Sequence, residues 1–136
     1  MKKRIVFLLA LFILTGCAEQ PAQPTQTQPS IQVDNVTIQI SDISPSGATL
    51  VITDNNPDPY LYGEWYKIQR LTDGQWQDVP TVSDNYAFNA IGYLPNEHRE
   101  VKFVINWEWL YGALPSGTYR IFKEVSTQKV PIEFEI

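Results

Sequence analysis

Residues 129–136 read KVPIEFEI and form the clearest alternating run in the chain. The apolar side chains stand at every second position, at Val130, Ile132, Phe134 and Ile136. Strict alternation predicts a strand that buries one face and exposes the other. Pro131, on the opposite face, has no backbone N–H to donate, so we expect this strand at the edge of a sheet.

A second alternating run lies upstream, in residues 101–107. One of its faces carries Val101, Phe103, Ile105 and Trp107. Shorter runs predict further strands at about Val36–Ser41, Ala48–Thr53, Tyr62–Leu71, Gln75–Val79 and Tyr86–Ile91. Turn residues separate these runs, and Asp73-Gly74 is a hairpin signal. Because no segment has a helical period, the sequence requires no helix, and we expect an all-β, antiparallel domain.

The spacing of these strands, roughly ten residues over a length of about 100, predicts a β-sandwich of about seven strands. A small closed barrel is the alternative. One cysteine cannot form an intramolecular disulfide, and therefore an apolar core must hold the sheets together. A composition of 43% hydrophobic and 12% aromatic residues is sufficient for such a core.

The N-terminal segment has the parts of an export signal. Lys2, Lys3 and Arg4 precede an apolar run at residues 5–14. This run of about ten residues is short of the roughly 20 that span a bilayer as a helix. We therefore interpret residues 1–16 as a cleaved signal peptide rather than a retained membrane anchor.

Leu14-Thr15-Gly16-Cys17 resembles the lipobox of bacterial lipoproteins. The resemblance implies that Cys17 receives a diacylglyceryl thioether and that signal peptidase II cuts before it. It also implies further acylation, for example with palmitate, at the new amino terminus, and two or three acyl chains are enough for stable anchoring. The mature protein is then expected on a bacterial cell membrane, facing the extracytoplasmic side. The alternative is an ordinary secretory signal in which Cys17 has no role.

Residues 17–30 combine the lipidated cysteine with a stretch rich in Pro, Gln and Thr. This composition is typical of a tether, with a reach on the order of 40 Å if it is fully extended. A segment without a spacing role would have the same composition. We expect the folded domain at residues 31–136. Loss of the signal leaves 7 basic residues against 15 acidic ones, a formal charge of −8, which anionic headgroups repel.

Residues 114–121 read LPSGTYRI and place Tyr119 directly after a turn. This pattern resembles the tyrosine corner of immunoglobulin-like sandwiches, which implies a structural role for Tyr119. Together with YGEWYKI at 62–68, DGQW at 73–76 and LYG at 110–112, it looks like the bacterial immunoglobulin-like domains of exported proteins and lipoproteins of Gram-positive bacteria. The resemblance covers most of the chain from residue 31 to residue 125. It implies an extracytoplasmic β-sandwich with no catalytic residues and no defined ligand.

Catalytic and metal-binding patterns are weak in this chain. His98 is the single imidazole, and catalysis would need a nucleophile and an orienting group from elsewhere. Glu64 and Glu108 would form a glycosidase-type pair only at a separation that the sequence does not fix. Residues 54–58 offer oxygen ligands for calcium, but their Asn and Asp residues are more typical of a turn. We predict that the protein is not an enzyme and has no cofactor and no metal site.

Surface aromatic residues are the candidate binding groups. If Tyr66 points inward, Trp65 must point outward, and Trp109 lies beyond the strand that ends near Trp107. The candidate binding aromatics are Trp65, Trp109, Tyr60 and Tyr62. The alternative is that the second sheet or a bulge covers Trp65 and that a turn covers Trp109.

These observations favour a membrane-tethered module that binds an envelope protein or acts as a spacer. The alternative is a module that binds carbohydrate or a cell-wall polymer through exposed aromatics. Acidic residues are spread along the chain and its net charge is −5, so the sequence has no electrostatic footprint for nucleic acid.

Overall fold

Two antiparallel four-stranded sheets face each other in residues 28–136, the part of the chain that the computed structural model describes. The first sheet contains, in spatial order, β1 (Ser30–Val33), β2 (Val36–Ser44), β3 (Gly47–Asp54) and β8 (Glu100–Asn106). The second contains, in spatial order, β10 (Gln128–Glu135), β9 (Thr118–Val125), β5 (Tyr66–Thr72) and β6 (Gln75–Asp78). Two short strands, β4 (Tyr62–Gly63) and β7 (Gly92–Tyr93), pair separately, and α1 (Glu108–Tyr111) follows β8.

The predicted signal peptide at residues 1–16, the predicted lipid attachment at Cys17 and the tether as far as residue 27 lie outside the described residues. Within residues 28–136, no helix has the length and apolar character to cross a bilayer.

One core lies between the two sheets and contains the faces that the alternation predicts. On β10 the buried side chains are Val130, Ile132 and Phe134, and on β5 they are Tyr66 and Ile68. Val101 and Ile105 of β8 are buried as well, with Phe103 partly buried beside them. The predicted class, an all-β immunoglobulin-like sandwich, is confirmed. β10 is the outer strand of its sheet, as Pro131 predicts.

Three stacked aromatic rings join the sheets at one end of the core. The ring of Phe134 on β10 lies 5.4 Å from Trp107 and 5.6 Å from Tyr119, both in stacked orientation. The indole N–H of Trp107 donates to the carbonyl of Pro45 at 2.8 Å, which ties the stack to the β2–β3 turn. The Tyr119 hydroxyl donates to the Pro115 carbonyl at 2.6 Å, four residues upstream, in the geometry of a tyrosine corner.

The hairpin between β5 and β6 has the turn that its sequence favours. Asp73 and Gly74 both have positive φ, 51° and 77°. A two-residue turn of this type matches the right-handed twist of the strands that it joins, and glycine and aspartate adopt positive φ most easily.

The segment Tyr86–Ile91 is not a strand, and that prediction is wrong. Its side chains, rather than its backbone, hold it in place: Phe88 packs edge to face on Tyr66 at 5.1 Å, and Asn89 donates to the Glu64 carboxylate at 3.0 Å. Pairing resumes at β7, which is two residues long. The predicted strand Tyr62–Leu71 is likewise two strands, interrupted at Glu64 and Trp65.

The domain also contains one helical turn that the sequence pattern does not indicate. The side chain of Asn106 accepts the backbone N–H of Glu108 at 3.0 Å, and the Tyr111 N–H donates to the Trp107 carbonyl at 2.9 Å. These two bonds close α1, which is too short to show a helical period in the sequence. The helix places Leu110 in the core and leaves Trp109 exposed.

Candidate functional site

Tyr62 presents no surface to a ligand, so its prediction as a binding aromatic is wrong. Its side chain is completely buried, and its hydroxyl donates to Asp54 at 2.8 Å. Burial, together with the hydrogen bond to this carboxylate, raises the pKa of Tyr62. β4 is a very short strand, and its pairing with β7 directs this side chain inward.

Asp54 organises the turn that carries Tyr60. Its carboxylate accepts the backbone N–H of Asn56 at 2.9 Å and that of Tyr60 at 2.8 Å, as well as the Tyr62 hydroxyl. Burial raises the pKa of Asp54, but these hydrogen bonds outweigh it, and the net pKa lies below the usual range. The carboxylate is therefore already occupied by donors from its own turn, and Tyr60 packs partly buried against the core.

Trp65 points to the outer face of the second sheet and is partly covered. The Lys129 ammonium lies 4.8 Å from the centroid of its ring. On the same face the Arg120 guanidinium lies 4.5 Å from Trp76 and 4.9 Å from Phe122. The aromatic rings of this face are therefore paired with cations of the same domain, which offers a free ligand less ring surface.

Trp109 is the candidate that carries an exposed ring, at 49% relative exposure. Phe88 lies 5.9 Å from it and Tyr86 lies 6.4 Å from it, with interplanar angles of 77° and 71°. Tyr86 is itself 45% exposed. Trp109 is thus the centre of an aromatic cluster to which the 86–91 segment contributes two rings.

An open cleft of about 220 Å³ lies between this cluster and β8. We call it the edge cleft; its lining residues are Glu64, Tyr66, Phe88, Phe103, Val104, Ile105, Asn106 and Trp109. Its volume is below the 300 to 1,000 Å³ typical of sites that enclose a small molecule. One of its walls is the edge of a strand, which suits a site for side chains of a polypeptide.

Glu64 supplies the charge of the edge cleft. Its carboxylate accepts the Tyr93 hydroxyl at 2.8 Å and the Asn89 amide at 3.0 Å. These two hydrogen bonds lower the pKa of Glu64, which is therefore ionised at neutral pH. Among the described residues that line the cleft, Glu64 is the one charged side chain.

Lys123 is a buried cation below the cleft, and sequence patterns gave no sign of it. Its ammonium donates to the carbonyls of Gly63 and Trp65, the latter at 3.0 Å, and lies 4.0 Å from the ring of Phe103. Burial lowers the pKa of Lys123 to about 8, although Glu124 and Glu64 raise it. Its contacts hold the β4–β5 junction, and with it Glu64, against β9.

His98 and its neighbours do not form a catalytic arrangement. The imidazole Nε2 lies 3.5 Å from the Glu97 carboxylate, and both side chains are exposed. Within residues 28–136, no hydroxyl or thiol hydrogen-bonds to this imidazole, and the Glu64 carboxylate is held by Tyr93 and Asn89.

Tyr86 and Phe88 were not among the predicted binding aromatics, because their alternation indicated a strand. The signal was present as two aromatic residues within a segment of Asp, Asn and Ala. Such rings need a surface to pack on, and here Tyr66 and Trp109 provide it.

The family described as "Bacterial Ig-like domain" matches residues 32–135, most of the chain. No match was found among the curated proteins or the solved structures.

The buried ammonium of Lys123 makes stability depend on pH. In the unfolded chain a lysine has its ordinary pKa near 10.4, and in the folded protein the pKa is about 8. Between these values the unfolded chain binds more protons, so the free energy of unfolding rises with pH. We expect a rise of about 2 kcal/mol between pH 7.5 and 9.5, measured by urea unfolding.

Lys123→Met should remove most of this rise, and Lys129→Met, which changes a lysine on the outer face, should retain it. An equal pH slope in the parent protein and in Lys123→Met would contradict the account.

Proposed function

This chain belongs to the bacterial Ig-like domain family, and on that premise we propose that it is a protein-interaction module held by a lipid on Cys17 at the extracytoplasmic face of a bacterial cell membrane. The family supports an interaction or spacer role for the domain. The observation that favours interaction over a passive spacer is the exposed cluster of Trp109, Tyr86 and Phe88 beside the edge cleft. Exposed aromatic anchors contribute strongly to protein interfaces.

The geometry of the cluster favours a protein partner over carbohydrate or a cell-wall polymer. Its rings meet edge to face, with interplanar angles of 71° to 86°, rather than in one plane. A flat platform for a row of sugar rings would present its aromatic faces in one plane, which this cluster does not do. The 14 acidic side chains among residues 28–136, against 7 basic ones, further disfavour anionic wall polymers.

Membrane anchoring is supported by the order of the N-terminal elements: a basic start, an apolar run of about ten residues and the lipobox-like Leu14-Thr15-Gly16-Cys17. The composition of the Pro- and Gln-rich residues that follow is typical of a tether between a membrane anchor and a folded domain.

The anchoring proposal predicts the behaviour of Cys17→Ser in the bacterium that produces the protein. This variant should incorporate no labelled palmitate and should keep its signal peptide, because the thiol that carries the diacylglyceryl group is gone. Gel mobility and the fatty-acid label measure both effects. Thr15→Ser, which keeps a small residue before the cysteine, is the matched control and should behave as the parent does. Labelling and cleavage of Cys17→Ser at the parental level would overturn the anchoring proposal.

The interaction proposal predicts which position reaches the partner. A photoreactive benzoylphenylalanine in place of Tyr86 should cross-link to a protein in living cells, and one in place of Leu71 on the second sheet should not. Adding Trp109→Ala should lower the cross-linking yield at position 86 by roughly tenfold, as expected for loss of an aromatic anchor. Adding Trp65→Ala, the matched control, should leave it unchanged.

The other outcomes of this cross-linking experiment contradict the interaction proposal. A cross-linked product whose added mass is removed by muramidase would indicate a wall polymer. No product at position 86 would indicate a spacer.

A further inference from the structure

The two sheets have four outer strands, and three of them are poorly suited to pairing with another chain. β1 and β6 are four residues long, and β10 carries Pro131. Short edges and edge prolines are common protections against unwanted strand pairing. The fourth outer strand, β8, has seven residues, no proline and an exposed Val104 at 78% relative exposure.

The hydrogen bonds around β8 show which backbone groups face away from β3. The Asp54 N–H donates to the Arg99 carbonyl, and the Trp107 N–H donates to the Ser46 carbonyl, each at 2.9 Å. Antiparallel ladders alternate, so the odd-numbered residues of β8 bond to β3 and the even-numbered residues face the opposite side. Lys102 and Val104 therefore direct their N–H and C=O groups outward. Among residues 28–136, none pairs with these four groups.

We propose that β8 binds an extended segment of a protein partner, which adds a fifth strand to the first sheet beside Lys102 and Val104. The inference rests on the proposed interaction function and names the structural form of its partner. Backbone hydrogen bonds to the free edge supply affinity, and alternate side chains of the incoming strand supply specificity. One side of the incoming strand borders the edge cleft, so its inward side chains contact Phe88 and Trp109.

The chemistry of the edge cleft defines the partner segment. Its aromatic walls fit apolar side chains at alternate positions, and the ionised Glu64 fits a lysine or arginine. The excess of acidic over basic residues in the domain adds a long-range attraction for a basic segment.

Two other occupants fit this edge less well. A second copy of the chain would bring a domain of the same negative charge to Glu64. The chain's own tether contains Pro21 and Pro24, which cannot donate to a ladder, and it has no basic residue.

The test uses the mature chain from Cys17 with Cys17→Ser, purified without lipid. The probe is a peptide of about eight residues that alternates valine with threonine and carries a lysine at each end. Two further peptides have the same side chains but carry backbone N-methyl groups at alternate residues. In one peptide the methyl groups lie along one edge of the extended strand, and in the other they lie along the opposite edge. Titration calorimetry measures their affinities.

The unmodified peptide should bind. One N-methylated peptide should bind roughly tenfold more weakly, because its methyl groups replace the donors that face β8, and the other should bind like the parent peptide. Equal affinities of all three peptides, or no binding of the unmodified peptide at millimolar concentration, would overturn the proposal.

Val104→Pro provides the matching change in the protein. Proline at this position removes an N–H that faces away from β3, so the ladder to β3 stays complete. This variant should bind the peptide roughly tenfold more weakly. Thr49→Val, a substitution at the buried partner of Val104 on the neighbouring strand β3, should bind it with the parental affinity. Circular dichroism establishes whether Val104→Pro is folded. If it is not, the N-methylated peptides, which leave the protein unchanged, decide the question.

The failure of this inference is distinguishable from failure of the proposed function. Cross-linking at position 86 could depend on Trp109 and yet persist in a folded Val104→Pro variant. The domain would then be an interaction module that does not bind its partner by strand addition. Light scattering would detect a dimer in the absence of peptide. If Val104→Pro dissociates such a dimer, the strand that pairs with β8 comes from a second copy of the chain, and the assignment to a different protein is overturned.

Discussion

The stack of Trp107, Phe134 and Tyr119 holds the sandwich together at one end, in a chain whose single cysteine cannot cross-link the sheets. Trp107 follows β8, Phe134 lies on β10 and Tyr119 lies on β9, so one set of rings joins both layers. Hydrogen bonds from the indole to Pro45 and from the hydroxyl to Pro115 fix the two outer rings. Large aromatic rings bury much apolar surface and pack in preferred mutual orientations. This stack therefore sets the positions of β8 and of α1, which follows it.

The position of α1 then determines the binding surface. The helix directs Leu110 into the core and Trp109 toward solvent, and the segment before β7 packs Tyr86 and Phe88 around that exposed ring. Because this segment is held by its side chains, its backbone leaves the outer edge of β8 open at Lys102 and Val104. Lys123 supports the opposite wall through the carbonyls next to Glu64. The aromatic cluster, the acidic group and the open edge are thus consequences of one packing arrangement.

Much of the fold could be predicted from the sequence, because alternation records which face of a strand is buried. Residues 129–136 and 101–107 follow this rule, and Asp73-Gly74 forms the expected turn. The alternation at Tyr86 and Phe88 wrongly indicated a strand, since two rings can share one side of a segment that has no ladder partner. The inward direction of Tyr62 and the burial of Lys123 depend on contacts with distant residues, Asp54 and the carbonyls of the β4–β5 junction. No local pattern encodes such contacts.

The open edge of β8 is the central claim, and amide hydrogen exchange of the isolated protein, followed residue by residue by NMR, tests it most directly. The account predicts an alternating pattern: slow exchange at Val101, Phe103 and Ile105, whose N–H groups bond to β3, and fast exchange at Lys102 and Val104. Slow exchange at all five amides would mean that another part of the chain pairs with this edge, and it would contradict the account.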